Sequence, residues 1–141
     1  MCVGNDMVSG DDLGPMVFKS LKNKSLPDTI EVIDGGLQGL NLIRFFEKID
    51  RVILVDSLCG FNAENEVIIL DAIRVAQNMD VSFSHSNGLG YLLRILPEVL
   101  ESEVPEIILV GREGKVDASS IRAVTEACLR ISENNYFRID N

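Results

Sequence analysis

Aspartates stand at or just beyond the ends of three short apolar runs in this sequence. They are Asp11, Asp12, Asp34 and Asp56. If the runs are parallel strands of one sheet, their carboxyl ends meet at one edge, which is where open α/β sheets bind their ligands. We therefore expect these carboxylates to gather along one crevice, where their oxygens could hold a divalent metal ion or accept a proton from water.

His85 is the only histidine of the chain, so any mechanism that needs an imidazole must use it. It lies in a polar stretch, Ser82 to Gly88, and a lone histidine in a loop is usually just exposed. The sequence has no Gly-x-Ser-x-Gly elbow, which argues against a nucleophilic hydrolase. One histidine is too few for a zinc finger. One imidazole with two carboxylates suits a transition metal such as nickel or zinc.

Asp11 and Asp12 belong to a loop, from Gly4 to Pro15, that combines three glycines with three aspartates. The glycines would let the backbone turn sharply from a strand into a helix and let a bulky partner approach. An acid here could also be the N-cap of a helix that begins near Leu13. We expect one acid to face the crevice and the other to cap the helix.

Asp34 and Asp56 have different structural alternatives. Asp34 precedes Gly35 and Gly36, and an aspartate before paired glycines often stabilises a turn, which is the better explanation of Asp34 from the residues alone. Asp56 ends a run of four apolar residues, where a carboxylate needs solvent, a partner or a metal. We therefore favour a functional role for Asp56.

The elements that would position these side chains alternate between strands and helices. Strands are expected at 29–34, 51–56, 66–70 and 105–111, and continuous apolar runs of this kind mark strands buried on both faces. Helical spacing predicts four apolar faces, formed by Leu13, Met16, Val17 and Leu21, by Leu42, Ile43, Phe46 and Ile49, by Leu89, Leu92, Leu93 and Leu96, and by Ile121, Val124, Ala127, Cys128 and Ile131. The prediction is one α/β domain over residues 1–141, a three-layer sandwich with a twisted, mostly parallel sheet of about five strands flanked by helices.

Composition and charge exclude several classes of protein. The net charge is −9 and no window clusters Lys and Arg, so nucleic-acid binding is not expected. No apolar run reaches the roughly 20 residues of a membrane helix, and no leader peptide is recognisable. The three cysteines are far apart, as is typical of reduced thiols in a cytoplasm. We expect a cytoplasmic protein with no membrane contact.

The sequence also contains a second glycine-rich loop and a short first strand. The glycines at 35, 36 and 39 follow a strand, but they lack the spacing of a dinucleotide-binding or P-loop motif, and the neighbouring acids would repel phosphate.

Only Met1, Cys2 and Val3 precede Gly4, whereas a strand usually has about 5 residues. We therefore expect the natural chain to begin upstream of Met1.

Five segments together resemble the hydrogenase maturation proteases, which trim the large subunit of nickel–iron hydrogenases. In order, they are Gly4-Asn5 followed by acids and Gly14-Pro15, Asp34-Gly35-Gly36 with Gly39, Val55-Asp56, His85 with Gly88-Leu89, and Leu109-Val110-Gly111. One such segment would be weak evidence for the resemblance, but five segments in the right order along nearly the whole chain make the resemblance specific. The resemblance implies a twisted, mostly parallel sheet flanked by helices, of the phosphorylase/hydrolase-like kind.

The resemblance also implies a site. In the family, the metal is contacted by an acid of the opening motif, the aspartate that ends strand three and the histidine. These roles fall on Asp11 or Asp12, on Asp56 and on His85, and the expected catalytic residues are Asp11, Asp56 and His85. The glycine loop is expected to bind substrate through Asp34, Gly35, Gly36 and Gly39. The nickel would be supplied by the substrate, a hydrogenase large-subunit precursor, so no tightly bound cofactor is expected.

This sequence departs from the family pattern at three places. The acidic pair comes one position later than usual, so alignment without gaps assigns the ligand to Asp11, whereas alignment of the pairs assigns it to Asp12. We prefer Asp11, because the loop length is then preserved. Leu37 stands where the family often has threonine, and the loop from Ser57 to Asn62 lacks the usual Pro-Gly element. That loop is a candidate for substrate choice.

The resulting hypothesis is an endopeptidase that removes the C-terminal extension of a nickel-loaded precursor and acts as a monomer or weak oligomer. The alternatives are a nickel-binding chaperone or docking module that does not cleave, and a general metal-dependent hydrolase. Hydrolysis would use a water molecule that the metal positions or activates, with a carboxylate as general base.

Overall fold

The computed structural model describes residues 1–77 and 88–133. The strands are β1 (Cys2–Val3), β2 (Asp34–Gly36), β3 (Arg51–Ser57), β4 (Val67–Asp71) and β5 (Glu106–Arg112). The helices are α1 (Leu13–Lys22), α2 (Ala72–Gln77), α3 (Leu89–Val99) and α4 (Ala118–Glu133), with a 3-10 helix at Gly39–Phe45. Among these residues, no helix is both long and apolar enough to cross a membrane.

The five strands form one sheet in the order β2-β1-β3-β5-β4. The β3 and β5 strands pair in parallel along their whole length, from Arg51 opposite Glu106 to Ser57 opposite Arg112. Both are predicted correctly, because a strand buried on two faces is a continuous apolar run. The β1 strand pairs in parallel with β2 and with β3. The sheet is therefore mostly parallel, as predicted.

The β4 strand is antiparallel to β5 and lies at the edge of the sheet. The sequence predicted a strand here that is buried on both faces, but all five residues are only partly buried. The direction follows from the short connection between β3 and β4, residues 58–66. A parallel return needs a crossover of a dozen or more residues, usually containing a helix.

Two apolar cores cover the two faces of the sheet and make the structure a three-layer sandwich. One core joins α1 and α4 to the sheet through residues such as Leu13, Val17 and Val124. The other joins α2, α3 and the 3-10 helix to the opposite face through residues such as Leu92 and Phe46. The predicted apolar faces of α1, α3 and α4 point into these cores, with Met16 and Ile121 only partly buried.

Three details of the sequence prediction are wrong. The strand expected at 29–34 is the short β2, which begins where that run ends, because its neighbour β1 has only two residues to pair with. The second helical face lies on a 3-10 helix, and it leaves Ile49 43% exposed. The six-residue helix α2 was not predicted, because so short a helix carries less than two turns of periodicity.

Candidate functional site

The strand register places two of the aspartates at the same edge of the sheet. Cys2 of β1 pairs with Asp34 on one side and with Val55 on the other. Asp34 and Asp56 therefore lie within about one residue of the same level, although Asp34 is the first residue of the three-residue β2 and Asp56 is the next-to-last residue of β3. This is the edge at which a crevice was predicted.

Asp56 is fully buried at this edge, with 0% of its surface exposed. Its carboxylate Oδ1 accepts a hydrogen bond of 2.8 Å from the backbone N–H of Ser57. Asp56 pairs with Gly111 of the neighbouring strand β5. A Cβ atom at Gly111 would lie 2.4 Å from the Asp56 carbonyl oxygen. A side chain at position 111 would therefore push against the backbone that holds Asp56.

Asp11 is also buried, with 2% of its surface exposed. The loop that carries it closes on the end of β1, because the Asn5 N–H donates to the Asp11 carbonyl oxygen over 2.9 Å. The Asp11 N–H in turn donates to the Val8 carbonyl oxygen over 3.0 Å. The loop thus folds Asp11 back to the carboxyl end of β1, the strand beside β3.

Two glycines of this loop serve close packing and not the approach of a partner. A Cβ atom at Gly14 would lie 1.9 Å from the Val3 carbonyl oxygen, and one at Gly4 would lie 2.3 Å from the Asp11 carbonyl oxygen. Gly4 also has a φ of +134°, which side chains rarely adopt. Only Gly10 of this loop has open space beside it, since a Cβ atom there would meet nothing within 4 Å.

Asp12 occupies the N-cap position of α1, but its side chain makes no capping hydrogen bond. Its Oδ1 accepts instead from the N–H of Gly10, at 3.2 Å, and its side chain is partly exposed. The prediction that one acid caps α1 through its side chain is therefore wrong, since a cap bond would go forward into the helix.

Asp34 forms the turn that its sequence context predicted. Its Oδ1 accepts a hydrogen bond of 3.2 Å from the N–H of Gly36, which has a φ of +45°. The Gly36 carbonyl oxygen accepts from the N–H of Gly4 at 3.1 Å, so the glycine loop is tied to the loop that carries Asp11. Asp34 is exposed, and Gly39 begins the 3-10 helix with a φ of +54°.

His85 lies outside the residues that the structure describes. Of the predicted set of Asp11, Asp56 and His85, the structure therefore gives the positions of the two carboxylates alone. Within residues 1–77 and 88–133, no group of three or more His, Cys, Asp or Glu side chains could hold a metal ion. Two carboxylates leave most coordination positions of a nickel or zinc ion to be filled by other donors.

Glu113 was missed by the sequence analysis. It stands just beyond β5, at the same edge, and only 8% of its surface is exposed. Its carboxylate accepts the N–H groups of Ala63 and Phe61, at 2.9 and 2.7 Å, and these bonds hold the pKa of Glu113 below its usual value. The rule that found Asp34 and Asp56, an acid at the end of a buried strand, would have found Glu113 on the last strand too.

A groove of about 580 Å³ lies at the opposite edge of the sheet. It is lined by the segment from Thr29 to Ile33 and by the first half of β3, together with Met1, Cys2 and Cys128. None of the four aspartates lines it, and it lies at the amino ends of the strands. We therefore locate the candidate site at the carboxyl edge and not in this groove.

Comparison with known proteins identifies relatives in sequence and in fold. The structure of the hydrogenase maturating endopeptidase HybD from E. coli superposes with a TM-score of 0.74 and 26% identity, covering 92% of this chain and 90% of that one. The Hydrogenase 3 maturation protease of Escherichia coli K12 is 29% identical over 114 residues, which cover 79% of this chain and 69% of that protein.

A shorter stretch of this chain is similar in sequence to the hydrogenase expression/formation protein HupD of Bradyrhizobium diazoefficiens. It is 30% identical over 57 residues, which span 40% of this chain and 30% of that protein. The family model described as hydrogenase maturation protease matches residues 15–128, which is most of the chain and includes Asp34, Asp56 and Glu113. The chain therefore belongs to the hydrogenase maturation protease family, a family of peptidases.

Proposed function

We propose that this protein is an endopeptidase that removes the C-terminal extension of a hydrogenase large-subunit precursor after the precursor has received its nickel. The observation that supports this most is the pair of buried carboxylates, Asp11 and Asp56, at the carboxyl ends of adjacent strands. With His85 they supply oxygen and nitrogen donors suited to nickel. The nickel is cargo of the substrate, so binding it reports that the precursor is loaded.

The chemistry at such a site is hydrolysis of one peptide bond. A water molecule attacks the scissile carbonyl carbon, and a carboxylate accepts its proton as general base. The C–N bond then breaks, and the proton passes to the departing amine. Asp11 and Asp56 are the carboxylates that we assign to this work, and the nickel of the precursor serves as a Lewis acid or as an anchor for recognition.

Asp12 and the glycine loop have supporting roles in this proposal. Asp12 is next to Asp11 but is partly exposed and already accepts the Gly10 N–H, so we assign the metal contact to Asp11. The exposed turn of Asp34, with Gly35, Gly36 and Gly39, is close to the same edge and would contact the precursor polypeptide.

The test is the intact mass of a hydrogenase large-subunit precursor from the same organism, prepared with and without nickel and mixed with this protein. We expect the loaded precursor alone to lose a short C-terminal peptide. Binding of the loaded precursor without loss of mass would replace the proposal with a docking or chaperone role. Cleavage of both forms at equal rates would show a peptidase that does not recognise nickel.

A further inference from the structure

The connection between β3 and β4 begins two residues after Asp56, at the edge of the sheet that carries the candidate site. We call residues 58–66 the β3–β4 loop. Its backbone has φ values of +87° at Gly60, +54° at Asn62 and +69° at Asn65. Asparagine adopts a positive φ more readily than most side chains do, so these values mark tight turns of the backbone. The contacts of the loop with β5 decide whether it keeps one shape.

The carboxylate of Glu113 holds the middle of this loop. Oε1 accepts the Phe61 N–H at 2.7 Å, and Oε2 accepts the Ala63 N–H at 2.9 Å, so each carboxylate oxygen has a backbone donor of the loop. The two bonds lower the pKa of Glu113, so the anchor is charged near neutral pH. A charged acceptor makes these hydrogen bonds stronger than neutral ones would be.

Both ends of the loop are attached to β5 as well. The Leu58 N–H donates to the Arg112 carbonyl oxygen at 3.1 Å, and an Arg112 Nη2 donates to the Asn65 Oδ1 at 3.0 Å. Glu64 forms an isolated parallel bridge with Glu113. Phe61 packs its ring against the core beneath, so the inward face of the loop is apolar and fixed.

The outward face of the loop is polar. The exposed residues are Gly60, Asn62, Glu64, Asn65 and Glu66. Carboxylates only accept hydrogen bonds, whereas amides both donate and accept. A surface of this composition fits a segment of polypeptide that supplies hydrogen-bond donors. Because the loop has its shape before a partner arrives, little conformational entropy is lost when the partner binds.

We propose that the β3–β4 loop is a preformed recognition surface for the precursor protein, and that Glu113 is the positioning residue that keeps it in shape. This inference rests on the proposed function, because it names the part of the site that selects the substrate. Glu113 itself need not touch the precursor. Its effect passes through the backbone at Phe61 and Ala63, which places Asn62 and Glu64 at the surface.

The chain offers a matched control at the other edge of the sheet. The carboxylate of Glu47 accepts the N–H groups of Glu101 and Ser102, at 2.9 and 3.2 Å, and the Ser102 hydroxyl at 2.8 Å. It therefore anchors a connection in the same manner, but it does so just ahead of β3 and β5, at the amino ends of strands that carry the candidate acids at their carboxyl ends. Glu47→Gln and Glu113→Gln each remove the charge of a carboxylate that accepts two backbone N–H groups.

The first test compares the kinetics of precursor processing by these two variants. Glutamine keeps one acceptor oxygen and adds an NH2 donor, so one loop N–H of Glu113→Gln faces another donor. We expect KM for the loaded precursor to rise about fivefold or more in Glu113→Gln with kcat within about twofold, and both constants to stay within about twofold in Glu47→Gln. Amide hydrogen exchange at Phe61 and Ala63 should become about tenfold faster in Glu113→Gln alone.

A substitution on the outward face of the β3–β4 loop still tests the inference if Glu113→Gln fails to fold. Glu64→Gln should raise KM in the same direction while the amides of Phe61 and Ala63 keep their protection. An unchanged KM in Glu64→Gln, or equal rises in Glu113→Gln and Glu47→Gln, would overturn the inference.

Binding separates this inference from the proposed function. If the wild-type protein binds the loaded precursor without cleaving it, the proposed peptidase role fails, and the dissociation constants of the same variants decide the inference. Weaker binding by Glu113→Gln than by Glu47→Gln then supports the recognition surface. Equal binding by the two variants contradicts it.

Discussion

At the scale of single residues, the two neighbouring acids of the opening loop have different surroundings. Asp11 is 2% exposed, whereas Asp12 is partly exposed and accepts the N–H of Gly10. A charge removed from water interacts more strongly with a nearby cation or polarised carbonyl than a charge in contact with water. The burial of Asp11 therefore favours it as the acid that meets the substrate.

The corresponding prediction concerns Asp11→Asn, with Asp12→Asn as its control. Asp11→Asn should slow processing of the loaded precursor by at least about 100-fold, because an amide cannot serve as a general base and is a poor metal ligand. Asp12→Asn should stay within about threefold of the wild-type rate. Intact mass against time measures both. A larger loss in Asp12→Asn than in Asp11→Asn would move the assignment to Asp12.

At the scale of elements, contacts at the first residues of α1 and α4 hold the starts of these helices in place. The start of α1 is so close to β1 that a Cβ atom at Gly14 would lie 1.9 Å from the Val3 carbonyl oxygen. The start of α4 has a reciprocal cap, in which the Ser120 N–H donates to Asp117 Oδ1 and the Asp117 N–H donates to Ser120 Oγ. Each arrangement depends on one residue type and can be tested by substitution.

Gly14→Ala should destabilise the protein by more than about 3 kcal/mol, since either α1 or β1 must move. Gly10→Ala in the same loop should cost about 1 kcal/mol, because its only penalty is the positive φ of +89°. Urea unfolding followed by circular dichroism measures both free energies. Similar losses in the two variants would show that the contact between α1 and β1 relaxes easily.

The cap of α4 has a dependence on pH. The Ser120 N–H holds the pKa of Asp117 below its usual value, so the folded protein loses this carboxylate at lower pH than the unfolded chain does. The stabilisation is therefore fully present above the pKa of the unfolded chain, and it disappears as the pH falls through the pKa of the folded state.

Asp117→Ala should lower the melting temperature by roughly 2–5 °C at neutral pH, and by less at an acid pH below the lowered pKa of the folded carboxylate, where Asp117 of the wild type has taken up a proton. Asp117→Asn is the matched control, because asparagine also caps helices but does not titrate. Its melting temperature should stay close to that of the wild type at neutral pH. An equal loss in Asp117→Ala at both pH values would contradict the role of the charge.

How much the sequence predicts depends on how local each feature is. β3 and β5 could be predicted because a strand that is buried on both faces has a continuous run of apolar residues. The length of β2 could not be found from its own run, because it depends on the two-residue partner β1. Loop length alone led the sequence analysis to prefer Asp11 over Asp12, and only the structure shows that the two differ in burial. The hydrogen bonds of Glu113 cross about 50 residues, so they cannot be inferred from spacing along the chain.

At the scale of the whole molecule, the cysteines report how completely the chain is folded. Cys2 in β1 and Cys128 in α4 are buried in the same core, whereas Cys59 is partly exposed in the β3–β4 loop. Burial raises the pKa of the Cys2 thiol and raises the pKa of the Cys128 thiol to about 12. Because the thiolate is the reactive form, both are shielded by protonation as well as by packing.

A thiol reagent at about pH 8 should therefore modify one cysteine of the folded protein quickly and all three in denaturant. Mass spectrometry counts the added groups, and peptide mapping should place the fast one at Cys59. The slow labelling of Cys128 should accelerate in proportion to the fraction unfolded as urea is added. Rapid labelling of Cys128 without urea would show that the core joining α1 and α4 opens locally.

The unequal pairing of the strands has a consequence for how a large substrate enters and leaves. Seven residue pairs join β3 to β5, whereas β1, which links β2 to the rest of the sheet, has only two residues. Asp56 thus stands on the firmly paired side of the candidate crevice and Asp34 on the side held by few hydrogen bonds. Separation of β2 from β1 would widen the crevice without disturbing the strand that carries Asp56. If the protein has the proposed function, local opening of this kind would admit the precursor and release its shortened product.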